Sequence, residues 1–364
     1  MKYVFVLGRD PELSVLELVS YFKSKEIKYN IIESDKYVAL IELDEIDSKK
    51  IISDLGGTVK IAKVVSENLG NFDYNYLGSK DKISYGVSSY GKTDDEPLKK
   101  KIKSIFKEQK LKAMRKKGKT KELTPSDLVN LDLEFVLYKK YIAETVAFFD
   151  PSKYKERDQR PANDFLKSTS IRLAKIMINL AQPLKNETLL DPFCGTGIIL
   201  QEALLKNLDV MGVDIDKWSV DASRKNLDWI KHKYNLKNNF NVIRGDSAKI
   251  NQILKKKVDI VVTEPYLGPF LKDLPSFGEA KKVAKELEML YSDYFNRVSD
   301  FVKKRMVIIV PSFITKERKT VKFDFEKIAR ENGFKIEMDP IESPICYSER
   351  KTRINRYIYV LNKK

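Results

Sequence analysis

The chain has 364 residues, 42% of them hydrophobic and 33% charged, enough for two or three domains with a core in each. Lys and Arg number 68 against 52 Asp and Glu, a net charge of +16, so a polyanion is the expected partner. Two cysteines and one histidine exclude a disulfide framework, a histidine metal cluster and histidine catalysis, and no apolar run reaches the roughly 18 residues of a membrane span.

The start, MKYVFVLGRDPEL, reads as a strand and a turn rather than a signal peptide, so a cytoplasmic protein without a membrane partner is expected. Tyr3 to Leu7 alternates like a half-buried strand, and Pro11 to Lys23 has helical spacing through Leu13, Leu16, Val19 and Phe22. Tyr29 to Ile32 and Tyr37 to Ile41 are strands joined at Ser34-Asp35. A second helical stretch follows, and Gly56-Gly57 breaks into a strand over Val59 to Val65. The order strand-helix-strand-strand-helix-strand over residues 1–66 is that of a ferredoxin-like unit.

Residues 67–150 form a second α+β stretch. Lys82 to Ser88 is a strand, and PLKKKI opens a basic helix with Ile102, Ile105 and Phe106 on its apolar side. The run KLKAMRKKGKTK, from Lys110 to Lys121, then carries seven basic residues and no acid. Strands at Leu131 to Leu137 and Tyr141 to Phe149 close the block. Lys99, Lys100, Lys101, Lys110, Lys112, Arg115, Lys116, Lys117 and Lys119, near Tyr138, Tyr141, Phe148 and Phe149, suit a surface that grips RNA phosphates. A solvated charged face is the alternative.

Residues 151–182 are a linker, bracketed by Pro151 and Pro161, and an amphipathic helix carrying Phe165, Ile171, Leu173, Ile176, Met177 and Leu180. From residue 183 to 364 strands and helices alternate as in an α/β fold with a parallel sheet. The last two strands, Phe334 to Ile336 and Asn355 to Leu361, have no helix between them and should form an antiparallel hairpin. His232 falls at an exposed helix end.

One stretch organises this half: LLDPFCGTGIILQEALLKNLDVMGVDID, Leu189 to Asp216. A short strand ends at Asp191-Pro192, and Gly195-Thr196-Gly197 turns the chain into an apolar helix. A second strand then ends at Asp214. Glycines in the turn permit positive φ and let backbone N–H groups approach a ligand, and an acid after the second strand can accept the ribose hydroxyls of an adenosine. A nicotinamide dinucleotide site would carry a third glycine where Leu200 stands. Asp246, after the third strand, can accept the adenine amine or cap the helix that follows.

The fourth strand ends in Thr263-Glu264-Pro265-Tyr266-Leu267-Gly268. This edge resembles the Asp/Asn-Pro-Pro-Tyr/Phe motif of amino-group methyltransferases, and the exocyclic amine that such enzymes methylate is a poor nucleophile because its lone pair is delocalised into the ring. Glu264 and the Pro265 carbonyl could accept its two N–H groups while Tyr266 stacks on the base.

DPFCGTG is similar to the first motif of the S-adenosylmethionine-dependent methyltransferases. With LGGTVKIAK, ELTPSDLVNLDLEFVLYKKYIAETVAFFDPSKYKERDQRP, GVDID, RGD and YSERKTRINRYIYVL, most of the chain resembles a THUMP-containing RNA methyltransferase of the tRNA guanine-10 N2-methyltransferase family. The resemblance implies a Rossmann-like class I methyltransferase domain over residues 183–364, with a seven-stranded sheet and terminal antiparallel hairpin, behind α+β ferredoxin-like and THUMP modules. It implies S-adenosylmethionine as cofactor, held by Asp191, Gly195 and Gly197 at the methionine end, Asp214 at the ribose and Asp246 at the adenine. Pro192, Phe193, Ile215 and Ser247 would be flanking contacts. The substrate implied is tRNA, methylated on a guanosine N2, and some relatives act with a small activating subunit.

The motif departs from the family at the chemistry. Members of that family usually read TDPPYG and this chain reads TEPYLG: aligned without a gap, Glu264 replaces the aspartate, Tyr266 the second proline and Leu267 the tyrosine, or else Thr263 stands at the acid position and Tyr266 keeps the aromatic role. One extra methylene moves a carboxylate by roughly an ångström, a misplacement that can cost about 100-fold in rate. Three other readings follow: methylation of ribosomal RNA N2-guanine, methylation of a DNA base amine, or a cofactor- and RNA-binding protein without turnover.

Overall fold

Runs of β-branched and aromatic residues build two sheets, one in each of the two units of the chain. A computed structural model describes residues 1–118, 120–163, 169–338, 343–347 and 353–364. The units are Met1–Leu18 with Lys25–Arg157, and Val19–Ser24 with Asp158–Lys364. Lys119 and Phe165, and much of the YSERKTRINRYIYVL stretch before Arg353, lie outside the described residues. No described helix is long and apolar enough to cross a membrane.

In the N-terminal half the elements run β1 (Lys2–Leu7), α1 (Pro11–Ser24), β2 (Tyr29–Ser34), β3 (Val38–Leu43), α2 (Ser48–Asp54) and β4 (Thr58–Ser66). They continue as β5 (Lys82–Tyr90), α3 (Glu96–Glu108), β6 (Lys112–Arg115), α4 (Pro125–Leu128), β7 (Leu133–Tyr138), β8 (Tyr141–Phe148) and α5 (Pro151–Asp158). The first four strands take the ferredoxin-like order β2-β3-β1-β4. Pairing of β4 with β8 carries them into one eight-stranded sheet, β2-β3-β1-β4-β8-β7-β5-β6. The two stretches that read separately in sequence therefore share a sheet. β1 differs from its half-buried expectation: every residue from Tyr3 to Leu7 is buried, because the strand lies inside this sheet between β3 and β4. Val4 and Val6 pack there with Leu40, Val136, Tyr138 and Tyr141. Part of the basic run is ordered as β6, which extends the sheet in parallel beside β5.

A buried ion pair crosses this sheet. Lys60 Nζ on β4 donates to Glu134 Oε1 on β7 at 2.6 Å, and both side chains are only 1% exposed. Ser88 Oγ donates to the same oxygen and Thr145 Oγ1 to Oε2, each at 2.5 Å, so the carboxylate is held by three strands. Burial pushes the Lys60 ammonium below its usual range, against the opposing pull of Glu134. Ser88 Oγ in turn accepts Leu123 N–H at 2.8 Å, which ties the chain just past the basic run to the network.

The C-terminal half continues with α6 (Ile171–Leu180), β9 (Thr188–Asp191), α7 (Ile198–Leu205), β10 (Asp209–Asp214), α8 (Lys217–Tyr234), β11 (Phe240–Arg244) and α9 (Ile250–Ile253). After these come β12 (Val258–Thr263), α10 (Phe277–Val298), β13 (Val302–Ile314), β14 (Thr320–Val321), α11 (Phe325–Glu331), β15 (Phe334–Ile336), β16 (Ile345–Tyr347) and β17 (Ile354–Lys363). The main path has seven strands, β11-β10-β9-β12-β13-β17-β15. The first five pair in parallel, and β17 inserts antiparallel between β13 and β15, the expected terminal hairpin. Two short strands beyond that expectation, β14 and β16, pair with β13 and β17. A core of Leu190, Val261, Leu287, Tyr294, Phe295, Ile308 and Phe334 fills the side of the sheet under α10 and α11. Parallel pairing brings the carboxyl ends of β9, β10, β11 and β12 to one edge, and with them the acids singled out in sequence.

Candidate active site

Asp191 closes β9 with its side chain inside the protein, only 2% of the residue exposed. Its Oδ1 accepts Thr263 Oγ1–H at 2.7 Å from the end of the adjacent β12, and the Phe193 N–H at 3.2 Å. Burial pushes the Asp191 carboxyl up to about 7; those two hydrogen bonds oppose the shift and the charges of Asp214 and Glu264 add to it. Thr263, one of two candidates for the amine-accepting position, is fully buried with its hydroxyl directed to Asp191. Glu264 is the acid that emerges from that strand.

The glycine turn is held by its own backbone. Cys194 N–H donates to Val213 O on β10 at 3.0 Å, and Gly197 N–H to Cys194 O at 2.8 Å. Gly197 has φ +84°, and a Cβ there would stand 2.4 Å from Ser223 Oγ on α8, so both conformation and space require glycine. Gly195 N–H donates to Asp214 Oδ2 at 2.8 Å, and Asp216 N–H to Asp214 Oδ1 at 2.9 Å. Each Asp214 oxygen keeps a further lone pair for a hydroxyl donor. Ile215 and Trp218 beside it are exposed apolar groups. Asp246 caps the turn after β11 by accepting Ala248 N–H at 2.9 Å, and Ser247 is buried.

Glu264 is mostly enclosed. Its Oε2 accepts Thr169 Oγ1–H at 2.6 Å and its Oε1 lies 3.1 Å from Arg356 Nε on β17. Pro265 is buried, whereas Tyr266 is 56% exposed. The Tyr266 carbonyl accepts the buried Tyr291 hydroxyl at 3.4 Å, and Gly268 at φ +103° turns the loop away against Val283 and Phe313.

Arg356 and Thr169 carry no signal in the local sequence pattern. Asn226 on α8 was missed as well. Its amide accepts Ala162 N–H at 2.9 Å and donates to Ala162 O at 2.8 Å and Thr196 O at 2.9 Å, joining the segment after Arg160-Pro161 to the glycine turn. Among the basic candidates, Lys100, Lys101, Lys110, Lys112, Lys116 and Lys117 are exposed and Arg115 is half-buried. Lys99 differs: its ammonium sits 2.6 Å from Asp95 and 2.8 Å from Glu96, so it is already neutralised on its own helix.

The open space at Gly195, where a Cβ would meet nothing within 4 Å, lies between an acid suited to a diol and a buried acid suited to a cation. These residues fit a nucleoside whose other end is positively charged. Sheet order, the antiparallel β17 between β13 and β15 and the acids at the strand ends define a Rossmann-like methyltransferase fold. An RMKL-like, methyltransferase domain family matches residues 157–337. A tRNA (guanine(10)-N2)-dimethyltransferase of Methanothermobacter thermautotrophicus is 30% identical over 277 residues, 74% of this chain and 78% of that protein. The chain belongs to this tRNA (guanine(10)-N2)-dimethyltransferase family. The Pyrococcus abyssi protein of the same name is 26% identical over 62% of this chain and 60% of its own. The crystal structure of TrmN from Thermus thermophilus shares the fold, with TM-score 0.56 at 11% identity over 100% of each chain.

Proposed function

We propose that this chain methylates the N2 amine of guanosine 10 in tRNA, using S-adenosylmethionine. The observation that carries the reading is the single sheet edge at which Asp191, the glycine turn, Asp214 and Glu264-Pro265-Tyr266 converge. When bound, S-adenosylmethionine supplies an electrophilic methyl group on a sulfonium. Asp191 and the Gly195–Gly197 turn would hold its methionine end, Asp214 its ribose and Asp246 its adenine. Tyr266 would stack on the extruded guanine, and Glu264 with the Pro265 carbonyl would accept its two N2–H bonds. That would direct the nitrogen lone pair toward the methyl; the new C–N bond would replace the methyl–sulfonium bond, with a neutral thioether as leaving group, and one N2 proton would pass to the Glu264 carboxylate.

Residues 1–66 and 67–150 would serve as ferredoxin-like and THUMP modules, with residues 151–182 leading into the catalytic part. The exposed lysines of α3 and the basic run would grip tRNA phosphates, positioning the RNA without specifying sequence. A cytoplasmic location fits that substrate. Labelled methyl transfer to unmodified tRNA transcripts, followed by nucleoside digestion, tests the reading. Label in N2-methylated guanosine supports it, and label in another nucleoside overturns the target.

Two expected results concern the cofactor. Asp214→Asn leaves a single acceptor oxygen for two backbone N–H groups and the ribose, and should weaken S-adenosylmethionine binding about 100-fold by calorimetry. An unchanged Kd would remove Asp214 from the site. The second is a pH dependence. A carboxyl raised to about 7 binds its proton in the folded state at pH values where the unfolded chain has released it. Its contribution to stability is thus present at low pH and fades as pH rises through 7. A cofactor cation favours the carboxylate, so binding below pH 7 releases a proton. Cofactor affinity should rise up to about tenfold per unit toward pH 7 and then flatten, and Asp191→Asn should abolish the slope. A slope that survives the substitution would assign it to another group.

A further inference from the structure

Glu264 carries one methylene more than an aspartate, and a longer side chain samples more positions for its carboxylate. Here that freedom is removed from two directions. Arg356 Nε lies 3.1 Å from Oε1, and Thr169 Oγ1 donates to Oε2 at 2.6 Å. The Glu264 and Arg356 side chains are 15% and 21% exposed, so solvent screens their attraction far less than on an open surface. Arg356 is itself fixed by its strand, paired with Pro311 on one side and Tyr347 on the other. A carboxylate can accept more than one hydrogen bond on each oxygen, so both clamped oxygens retain capacity for an N–H donor.

We propose that Arg356 is a positioning residue for base methylation: with Thr169 it aims the Glu264 carboxylate at the exocyclic amine. This rests on the reading of Glu264 as the amine acceptor. Arg356 acts through Glu264 and need not touch the base.

The test is single-turnover methyl transfer by the full chain, with KM for tRNA and cofactor affinity measured alongside. Arg356→Gln should lower the rate about 30-fold while KM and cofactor Kd stay within about twofold. Arg356→Lys should restore much of the rate. Thr169→Val, which removes the other anchor without touching charge, should lower the rate about fivefold. If Arg356→Gln does not fold, an undiminished rate in Thr169→Val overturns the clamp by itself.

An unchanged rate in Arg356→Gln overturns the proposal. So does a loss carried by KM with a weaker salt dependence, which would make Arg356 a phosphate contact. An equal loss in the Gln and Lys variants would reduce it to packing and overturn the positioning role. Wild-type protein that labels no RNA would overturn the parent reading and this proposal together. Active wild type with an unaffected Arg356→Gln removes only this one.

Discussion

Glu264→Gln should lower the single-turnover rate of methyl transfer about a thousandfold and leave cofactor affinity unchanged. The substitution preserves volume but replaces one acceptor oxygen with an NH2 donor, which faces an amine that also donates. It also leaves the Arg356 guanidinium, 3.1 Å from Oε1, beside a neutral amide. A loss of that size with intact binding is the signature of an interaction made chiefly in the transition state. A Gln variant as fast as the parent would show that TEPYLG does not orient the amine.

The second large effect lies in the other sheet. Lys60→Met should destabilise the N-terminal unit by about 3–5 kcal/mol, because it leaves Glu134 charged and buried with only the Ser88 and Thr145 hydroxyls to meet it. Removing both charges together, Lys60→Met with Glu134→Leu, should recover much of the loss, since an apolar pair of similar volume can replace a buried ion pair at little cost. The measurement is the urea midpoint of the N-terminal transition, compared at constant slope. A single variant within 1 kcal/mol of the parent would mean that water reaches the pair. Because Ser88 also accepts Leu123 N–H, the same variant should loosen the chain next to the basic run, visible as faster amide exchange there.

Much of this was legible in the sequence, for local reasons. The glycine turn, the acids at strand ends and the alternating strands of the C-terminal half are patterns within a few residues, and the structure places Asp191, Asp214, Asp246 and Glu264 at one sheet edge. Lys99 was readable too: Asp95 and Glu96 stand one helical turn before it, the spacing that forms ion pairs on a helix. The clamp on Glu264 was not legible. Thr169 is 95 positions from its partner, and Arg356 lies on the terminal strand, which reaches Glu264 by inserting beside β13. Lys60 and Glu134, 74 positions apart, are hidden for the same reason. β1 misled in the opposite sense, because alternation says which way side chains point and not whether the second face is covered.

The central claim is that TEPYLG presents a base amine for methylation, and one substrate pair tests it most directly. Two tRNA transcripts, one with the acceptor guanosine and one with inosine at that position, differ by the N2 amine alone. The account predicts methyl transfer to the first, none to the second, and loss of the first in Glu264→Gln. Equal labelling of both transcripts, or labelling that survives Glu264→Gln, would contradict it.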